Sequence, residues 1–357
     1  MTDLSAMFSG TKEVDEKVRF DEKALGEYLS QNLDGFKGPM EVRQFKGGQS
    51  NPTYAIFAGG KEYVLRRKPP GKLLPSAHAV DREYKVLKAL GDHTDVPVAK
   101  VHCLCMDESV IGSIFYVMDL VGGRVLWDQS LADFDKSERG AYYDAMNDTM
   151  ARLHLADYEA IGLADFGRPG NYVGRQISRW SKQYRASETE EIPEMEKLME
   201  WLPDNIPDAD STCVVHGDYR MDNMIFHPTE PKVLAVLDWE LATLGDPLGD
   251  FSYHAMSWRL PPGLFRGIGG LDLADLGIPS EEEYVAAYCR RTGREGVGNW
   301  DFYLAYNMFK IAAILQGIAG RVRDGTANSE HAKQQVERIR PMAEFAWEQA
   351  EKVIKAG

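Results

Sequence analysis

Up to the paired glycines Gly122 and Gly123 the chain reads mainly with the two-residue period of β-strands, and beyond them with the longer period of helices. A strand sends alternate side chains to opposite faces, whereas a helix gathers every third or fourth on one, so a change of period marks a change of architecture. The strand-like runs are VRQF (42–45), NPTYAIFAG and KEYVLRRK, joined by a Gly59-Gly60 hairpin signal, and SIFYVMDLV (113–121). One helical pattern interrupts them at 80–89, with Val80, Tyr84 and Leu87 in step, and an amphipathic helix candidate precedes them at 21–33. After Gly123, helices are expected over 137–157 with Ser137 as N-cap, from a Ser280-to-Glu283 capping box, over 301–323, and over 329–355. Pro341 should kink the last or end its first half. Among these helices lie two short apolar runs, CVV before His216 and VLAVLDW before Glu240, linked through MIFH and a turn at 228–231. They read as small strands with polar residues at their ends. The expected fold is α+β and bilobal: a β-rich N-terminal lobe over 1–121 and a mainly helical C-terminal lobe over 122–357, with one long irregular Gly/Pro-rich insertion at 260–279.

A length of 357 residues with 44% hydrophobic content is enough for a large core and suits two lobes better than one. The formal net charge of -14 speaks against a nucleic-acid partner, since such affinity rests largely on Lys and Arg neutralising phosphates. The first residues lack the basic start and apolar run of a secretory signal, and no stretch reads as the roughly 18 apolar residues of a membrane span, so a cytoplasmic protein with no membrane partner is expected. Cys103, Cys105, Cys213 and Cys289 lack zinc-ligand spacing and read as reduced, mostly buried thiols.

The chemistry concentrates in HGDYRMDN (216–223), which puts an aspartate and an asparagine five residues apart after an apolar run. No Ser or Cys stands in a nucleophile elbow, so a hydrolytic triad is excluded for this pair. Phosphoryl transfer does need such a pair: Asp218 to accept the proton of the attacking hydroxyl, and Asn223 to give a neutral oxygen to a magnesium ion on the phosphates. Asp238, at the end of VLAVLD, is the carboxylate that completes the protein's share of that ion's oxygens. In KEYVLRRK alternation puts Val64 and Arg66 on one face and Leu65 and Arg67 on the other. Arg66 would then meet the nucleotide phosphates, with Glu83 of the following helix orienting it, as a strand lysine and helix glutamate do in protein kinases. Gly47, Gly48, Ser50 and Asn51 form a turn able to lay backbone amides over phosphates.

HGDYRMDN, LDWE and Gly245-Asp246-Pro247-Leu248-Gly249-Asp250 resemble the catalytic loop, metal motif and following segment of the aminoglycoside phosphotransferase and choline kinase-like family, over roughly 45–323. YVLRRKPPG, DREYKVLKAL and MFKIAAILQGIAGRV are similar to the branch associated with acyl-CoA dehydrogenases. The resemblance implies a protein kinase-like fold and an ATP- and Mg-dependent kinase acting on a small-molecule hydroxyl. It makes Asp218 the base, Asn223 and Asp238 the magnesium ligands, Arg66 the phosphate cation, Glu83 its partner and 118–121, with Met118 and Leu120, the adenine hinge. The chain departs from it in having Arg66 where kinases carry lysine, and a Gly-rich turn without GxGxxG.

Bland roles stand beside these. His216 is expected to fix the loop by hydrogen bonding, His154 to be a satisfied core histidine, and Asp250 to hold the loop backbone. Tyr303, Tyr306, Phe309 and Ile314 read as a packed helix face, and 188–200 as a solvated acidic one. Arg220 steadies the γ-phosphate or merely pairs within the loop, and Arg321 and Arg323 bind an anion or complement a helix dipole. Arg290, Arg291, Arg294, Arg321 and Arg323, with Leu264, Phe265, Ile268 and Leu271 as an apolar lid, favour a hydroxyacyl-CoA or hydroxy acid acceptor. Aminoglycoside or amino-alcohol kinase and nucleotide-binding pseudokinase remain the alternatives. A protein kinase is disfavoured, because Gly217 replaces the arginine that reads an activation-loop phosphate and no APE follows.

Overall fold

The computed structural model describes residues 10–46, 51–70, 78–208, 211–325 and 330–356. The chain divides into two compact units, one comprising 1–127, 158–166 and 221–242, the other 128–157, 167–220 and 243–357.

The first unit is built on an antiparallel six-stranded sheet, ordered β1-β2-β3-β4-β6-β5, of β1 (Thr11–Lys12), β2 (Met40–Phe45), β3 (Thr53–Ala58), β4 (Lys61–Arg67), β5 (Val101–Cys105) and β6 (Phe115–Asp119). Alternation sorts its faces: Tyr54, Ile56, Tyr63, Leu65, Phe115 and Val117 join Leu25 and Leu29 of α1 (Glu22–Asn32) in one core. Asp21 caps α1 by accepting from the Ala24 N–H at 3.0 Å. Arg66 belongs to the other set of side chains, opposite Tyr116 across the β4–β6 ladder. Helix α2 (Val80–His93) follows β4 and carries Glu83, 2% exposed, in its first turn. Arg67 points to the core side, where its guanidinium donates to the Ile111 carbonyl and lies over Phe20.

β7 (Cys213–Val215) belongs to the second unit, whereas β8 (Met224–Phe226) and β9 (Val233–Val236) form a hairpin in the first, anchored by the Val236 N–H on the Pro97 carbonyl. Gly123 is there for close approach: a Cβ on it would stand 2.3 Å from the Phe226 carbonyl oxygen.

In the second unit β7 pairs antiparallel with β10 (Thr243–Gly245). Around them pack α3 (Lys136–Leu155), α4 (Tyr172–Ser187), α5 (Pro193–Asp204), α6 (Pro247–Ala255), the single turn α7 (Leu273–Leu276), α8 (Glu281–Thr292), α9 (Trp300–Arg323), α10 (Glu330–Val336) and α11 (Ile339–Ala356). The expected capping box at α8 is present in both directions. Asp135, not Ser137, is the N-cap of α3. The break expected near Pro341 falls just before Ile339, leaving the proline in the first turn of α11, where a missing N–H costs least. α9 is the central helix, and residues on nearly every side of it are buried, Tyr303, Tyr306 and Phe309 included, with Ile314 half-buried. By length and composition it could cross a bilayer, which the sequence reading did not anticipate, but it is mostly buried in this unit. All four cysteines are buried free thiols.

Candidate functional site

In the first unit Arg66 is the hub. Its Nε lies 2.7 Å from Glu83 Oε2, and its Nη2 lies 2.9 Å from Asp238 Oδ1 and 3.9 Å from Glu240 Oε2. Glu83 also accepts from the Asn51 amide at 2.8 Å and the Tyr116 hydroxyl at 3.1 Å. Burial pushes its carboxyl up, against the opposing pull of Arg66. The Arg66 guanidinium is held above its ordinary range: burial acts to lower it, but Glu83 leads the groups that outweigh burial. Asn51, expected on a phosphate turn, is buried, with its amide oxygen 3.0 Å from His78 Nδ1. Gly47, Gly48 and Ser50 of that turn lie outside the described residues.

The β8–β9 hairpin brings Asn223 and Asp238 together. Asn223 ends a 3₁₀ turn just before β8, and its carbonyl accepts from the Leu237 N–H at 2.8 Å, so Asp238 follows directly across the ladder. Asp238 adopts a left-handed backbone, φ 64° and ψ 62°, a conformation that costs a non-glycine residue energy and that clusters at functional sites. One carboxylate and one amide are hard oxygen donors of the kind magnesium takes when phosphates and waters supply the rest, so these residues fit that ion. Met118 and Leu120 are half-buried at the end of β6, and the Leu120 N–H is engaged by the Glu62 carbonyl at 3.2 Å.

In the second unit the strand β7 delivers the loop that starts at His216. Gly217 has φ 82°, which favours glycine, and its N–H donates to Asp250 Oδ1 at 2.8 Å while that of His216 donates to Oδ2 at 2.7 Å. Asp250 therefore holds the loop backbone, as expected. Burial would raise its pKa, but the hydrogen bond and charge of His154 lead the groups that lower it below the usual carboxylate range. His154 is itself a buried, satisfied histidine, bonded to Asp250 and to the Tyr288 hydroxyl. His216 fixes the loop through Nδ1, which accepts from the Asp218 N–H at 3.2 Å.

Asp218, so held, is only partly exposed. The Tyr253 hydroxyl donates to its Oδ1 at 2.5 Å, and Arg220 Nη2 lies 3.1 Å from Oδ2. Tyr253 sits on α6, whose N-cap Asp246 accepts from the Leu248 N–H at 2.8 Å and from the Tyr303 hydroxyl at 2.7 Å. Beyond Tyr253 a narrow cleft is lined by Gln129, Arg220, His254, Ser257, Phe265 and Arg266. Gln129 Nε2 and His254 Nε2 are buried there with no hydrogen-bond partner among the described residues. Burial holds His254 down at about 4, against Asp250, and so neutral near pH 7.

The arginine cluster expected around the insertion does not assemble. Arg290 and Arg291 lie in the last turn of α8, whereas Arg321 and Arg323 lie in the last turn of α9. Arg291 is 2.7 Å from Asp144 and donates to Asn147, and Arg323 pairs with Asp324. Arg290 and Arg294 line another groove with Glu281, Cys289 and Trp300. Leu264 and Ile268 are buried in the fold and form no lid. The insertion instead presents Phe265, whose ring packs edge-on against Tyr253 at 5.6 Å. Sequence reasoning missed Tyr253, three residues after Asp250 and so on the same helix face, and Gln129, for which no signal existed.

Comparison with known proteins fits this geometry. A protein of Ralstonia eutropha JMP134, whose designation as an aminoglycoside phosphotransferase is provisional, is 58% identical, with 94% of this chain and 99% of that one covered and a TM-score of 0.87. Choline kinase from Cryptosporidium parvum Iowa II shares the fold at 10% identity, TM-score 0.64, over 94% of this chain and 97% of its own. Among curated proteins, acyl-CoA dehydrogenase family member 10 of Mus musculus is 46% identical over 96% of this chain, and family member 11 of the same species 41% identical over 97%. This chain spans only 32% and 45% of their lengths. The model of the phosphotransferase enzyme family matches residues 41–306, three quarters of the chain, and together with the near-complete Ralstonia match it establishes that this chain belongs to that family and has its kinase-like fold.

Proposed function

We propose that this chain transfers the γ-phosphoryl group of ATP to a hydroxyl of a small molecule, with magnesium. The observation that carries the reading is the state of Asp218: a partly exposed carboxylate fixed by Tyr253, on a loop whose backbone Asp250 holds. The hydroxyl oxygen of the acceptor bonds to the γ-phosphorus, the bond to the β–γ bridging oxygen breaks, ADP leaves, and the hydroxyl proton passes to Asp218. Arg220, already beside Asp218, steadies the transferring group. Asn223 and Asp238 would hold magnesium, which when bound neutralises phosphate charge. Arg66 engages both Glu83 and Asp238, so it would have to release Asp238 for that carboxylate to hold magnesium, and could then turn to the phosphates while keeping Glu83. An aminoglycoside phosphotransferase of the same fold has been seen in a ternary complex with AMP-PNP and hygromycin B, which supports a nucleoside triphosphate as donor.

The acceptor is a hydroxyacyl-CoA or a related hydroxy acid. The cleft next to Asp218 supports this, because Arg220, Arg266 and the buried Gln129 amide suit a carbonyl or carboxylate and repel a polycation. The Ralstonia relative's designation favours aminoglycosides as the second acceptor class. Coupled measurement of ADP formation against hydroxy acids, their CoA thioesters, amino alcohols and aminoglycosides separates the two. Turnover of hydroxyacyl compounds, falling with ionic strength, is expected. Turnover of kanamycin-like compounds alone would overturn the acceptor assignment.

A further inference from the structure

Lys310 lies midway along α9 in a largely apolar and aromatic stretch whose other buried polar side chains, Asn307 and Gln316, are uncharged, and it is 4% exposed. Its Nζ donates to the Gly217 carbonyl at 2.8 Å and stands 4.4 Å from the centre of the Tyr253 ring. Among the described residues it makes no salt bridge within 4.0 Å. A buried ammonium without a carboxylate contact is costly, and a methionine would fill much the same space without that cost. What the charge does gain is its place: Gly217 is the residue before Asp218, and Tyr253 is the donor to Asp218 Oδ1. Two separate contacts of one lysine thus converge on the same carboxylate, from the backbone side and from the hydroxyl side.

We propose that Lys310 is a positioning residue for Asp218, fixing the carboxylate through the Gly217 carbonyl and the Tyr253 ring as the acceptor hydroxyl approaches. The inference rests on the phosphoryl-transfer reading above. The charged groups that act on Lys310 are Asp218 and Arg220 of the loop, Asp250 of α6 and Arg179 of α4. Burial lowers its pKa most, the two carboxylates raise it and the two arginines lower it, leaving it at about 8. Lys310 is therefore charged below that pH and neutral above it, so its hold on Asp218 weakens as pH rises through about 8.

Carbon NMR of protein labelled at lysine Cε, with Lys310→Met to identify the resonance, tests the coupling without any turnover. The wild type should titrate near pH 8, and Asp218→Asn should move the midpoint lower, because the charge that favours the ammonium is gone. A midpoint near the ordinary lysine value of about 10.4, or one indifferent to Asp218→Asn, would overturn the proposal. In turnover, kcat/KM of the wild type should fall above pH 8. Lys310→Met should be about tenfold slower at pH 7 through misplacement of the carboxylate, with little change in KM for ATP and with no alkaline limb. Lys310→Arg, which keeps its charge, should retain more activity and lose the alkaline limb. Variants that follow the wild-type profile scaled by a constant factor would reduce Lys310 to a packing role. A wild type that phosphorylates no hydroxyl compound would sink the phosphotransfer reading, while the NMR shift would still decide the fate of Lys310.

Discussion

Arg66 illustrates how one side chain can carry two duties that depend on each other. It is clamped by buried Glu83 and reaches Asp238, so its orientation is set by the first and its availability by the second. Truncating either member of the Arg66–Glu83 pair should remove the same geometry, and a double-mutant cycle on kcat/KM should show a coupling of roughly 0.5–3 kcal/mol. Additive effects would mean that another cation, such as Lys68, holds the phosphates. For Asp238→Ala, calorimetry should find magnesium-dependent ATP binding lost, with Glu240→Gln milder; unchanged affinity would remove Asp238 from the metal site. His254 gives a pH signature instead. Its folded-state pKa of about 4 lies below the ordinary 6.5, so the unfolded chain binds the extra proton between those values. The stability it contributes is complete above about pH 6.5 and lost as pH falls to about 4, on the order of 3 kcal/mol. Urea unfolding at pH 7 and pH 5 should show about 2 kcal/mol of that loss in the wild type and a smaller loss in His254→Gln; equal losses would contradict the assignment.

At the scale of elements, the β7 loop is held by α6 more than by itself. Asp250→Asn can still accept from one backbone N–H but not from both as a carboxylate does, so roughly 1–3 kcal/mol of stability should go, read by denaturant midpoint, together with turnover. Unaltered stability would show that the loop keeps its shape without that carboxylate. Much of this arrangement was legible beforehand. Alternation in 61–67 placed Arg66 and Leu65 on opposite faces, and the run ending at Asp238 gave a strand with a carboxylate at its tip, because periodicity and turn chemistry are local. Other elements were not legible. α4 carries Val173, Ile177, Trp180 and Tyr184 at helical spacing, a signal present but missed, whereas β5 is a short edge strand whose pairing with β6 no local pattern specifies. The arginines misled because charge near a helix end was read as a site, when the partners that absorb it, Asp144 and Asp324, are fixed by tertiary packing and by the adjoining turn. Lys310 had a signal as a cation in the middle of a largely apolar helix, but its meaning depends on Gly217 and Tyr253, which reach it only in the fold.

Across the whole molecule the candidate residues fall in two compact units. The first holds Arg66, Glu83, Asn223 and Asp238, the second Asp218, Arg220, Tyr253 and Lys310, and the chain passes from one to the other between Arg220 and Met221, inside the loop that carries both kinds of residue. A family match over 41–306 covers both sets apart from Lys310, while the curated relatives extend well beyond this chain, so the account predicts that these residues suffice for phosphoryl transfer without the rest of those longer proteins. The central claim is that Asp218 takes the proton of an alcohol as the γ-phosphoryl group moves to it. Mass spectrometry of the acceptor with ATP and magnesium, quantified against ADP for wild type and Asp218→Asn, tests this directly. The wild type should yield one phosphorylated acceptor for each ADP, and Asp218→Asn should lower that rate ~10²–10⁴-fold with nucleotide affinity nearly intact. Half the wild-type rate in Asp218→Asn, or ADP formed with no phosphate on any hydroxyl compound, would contradict it.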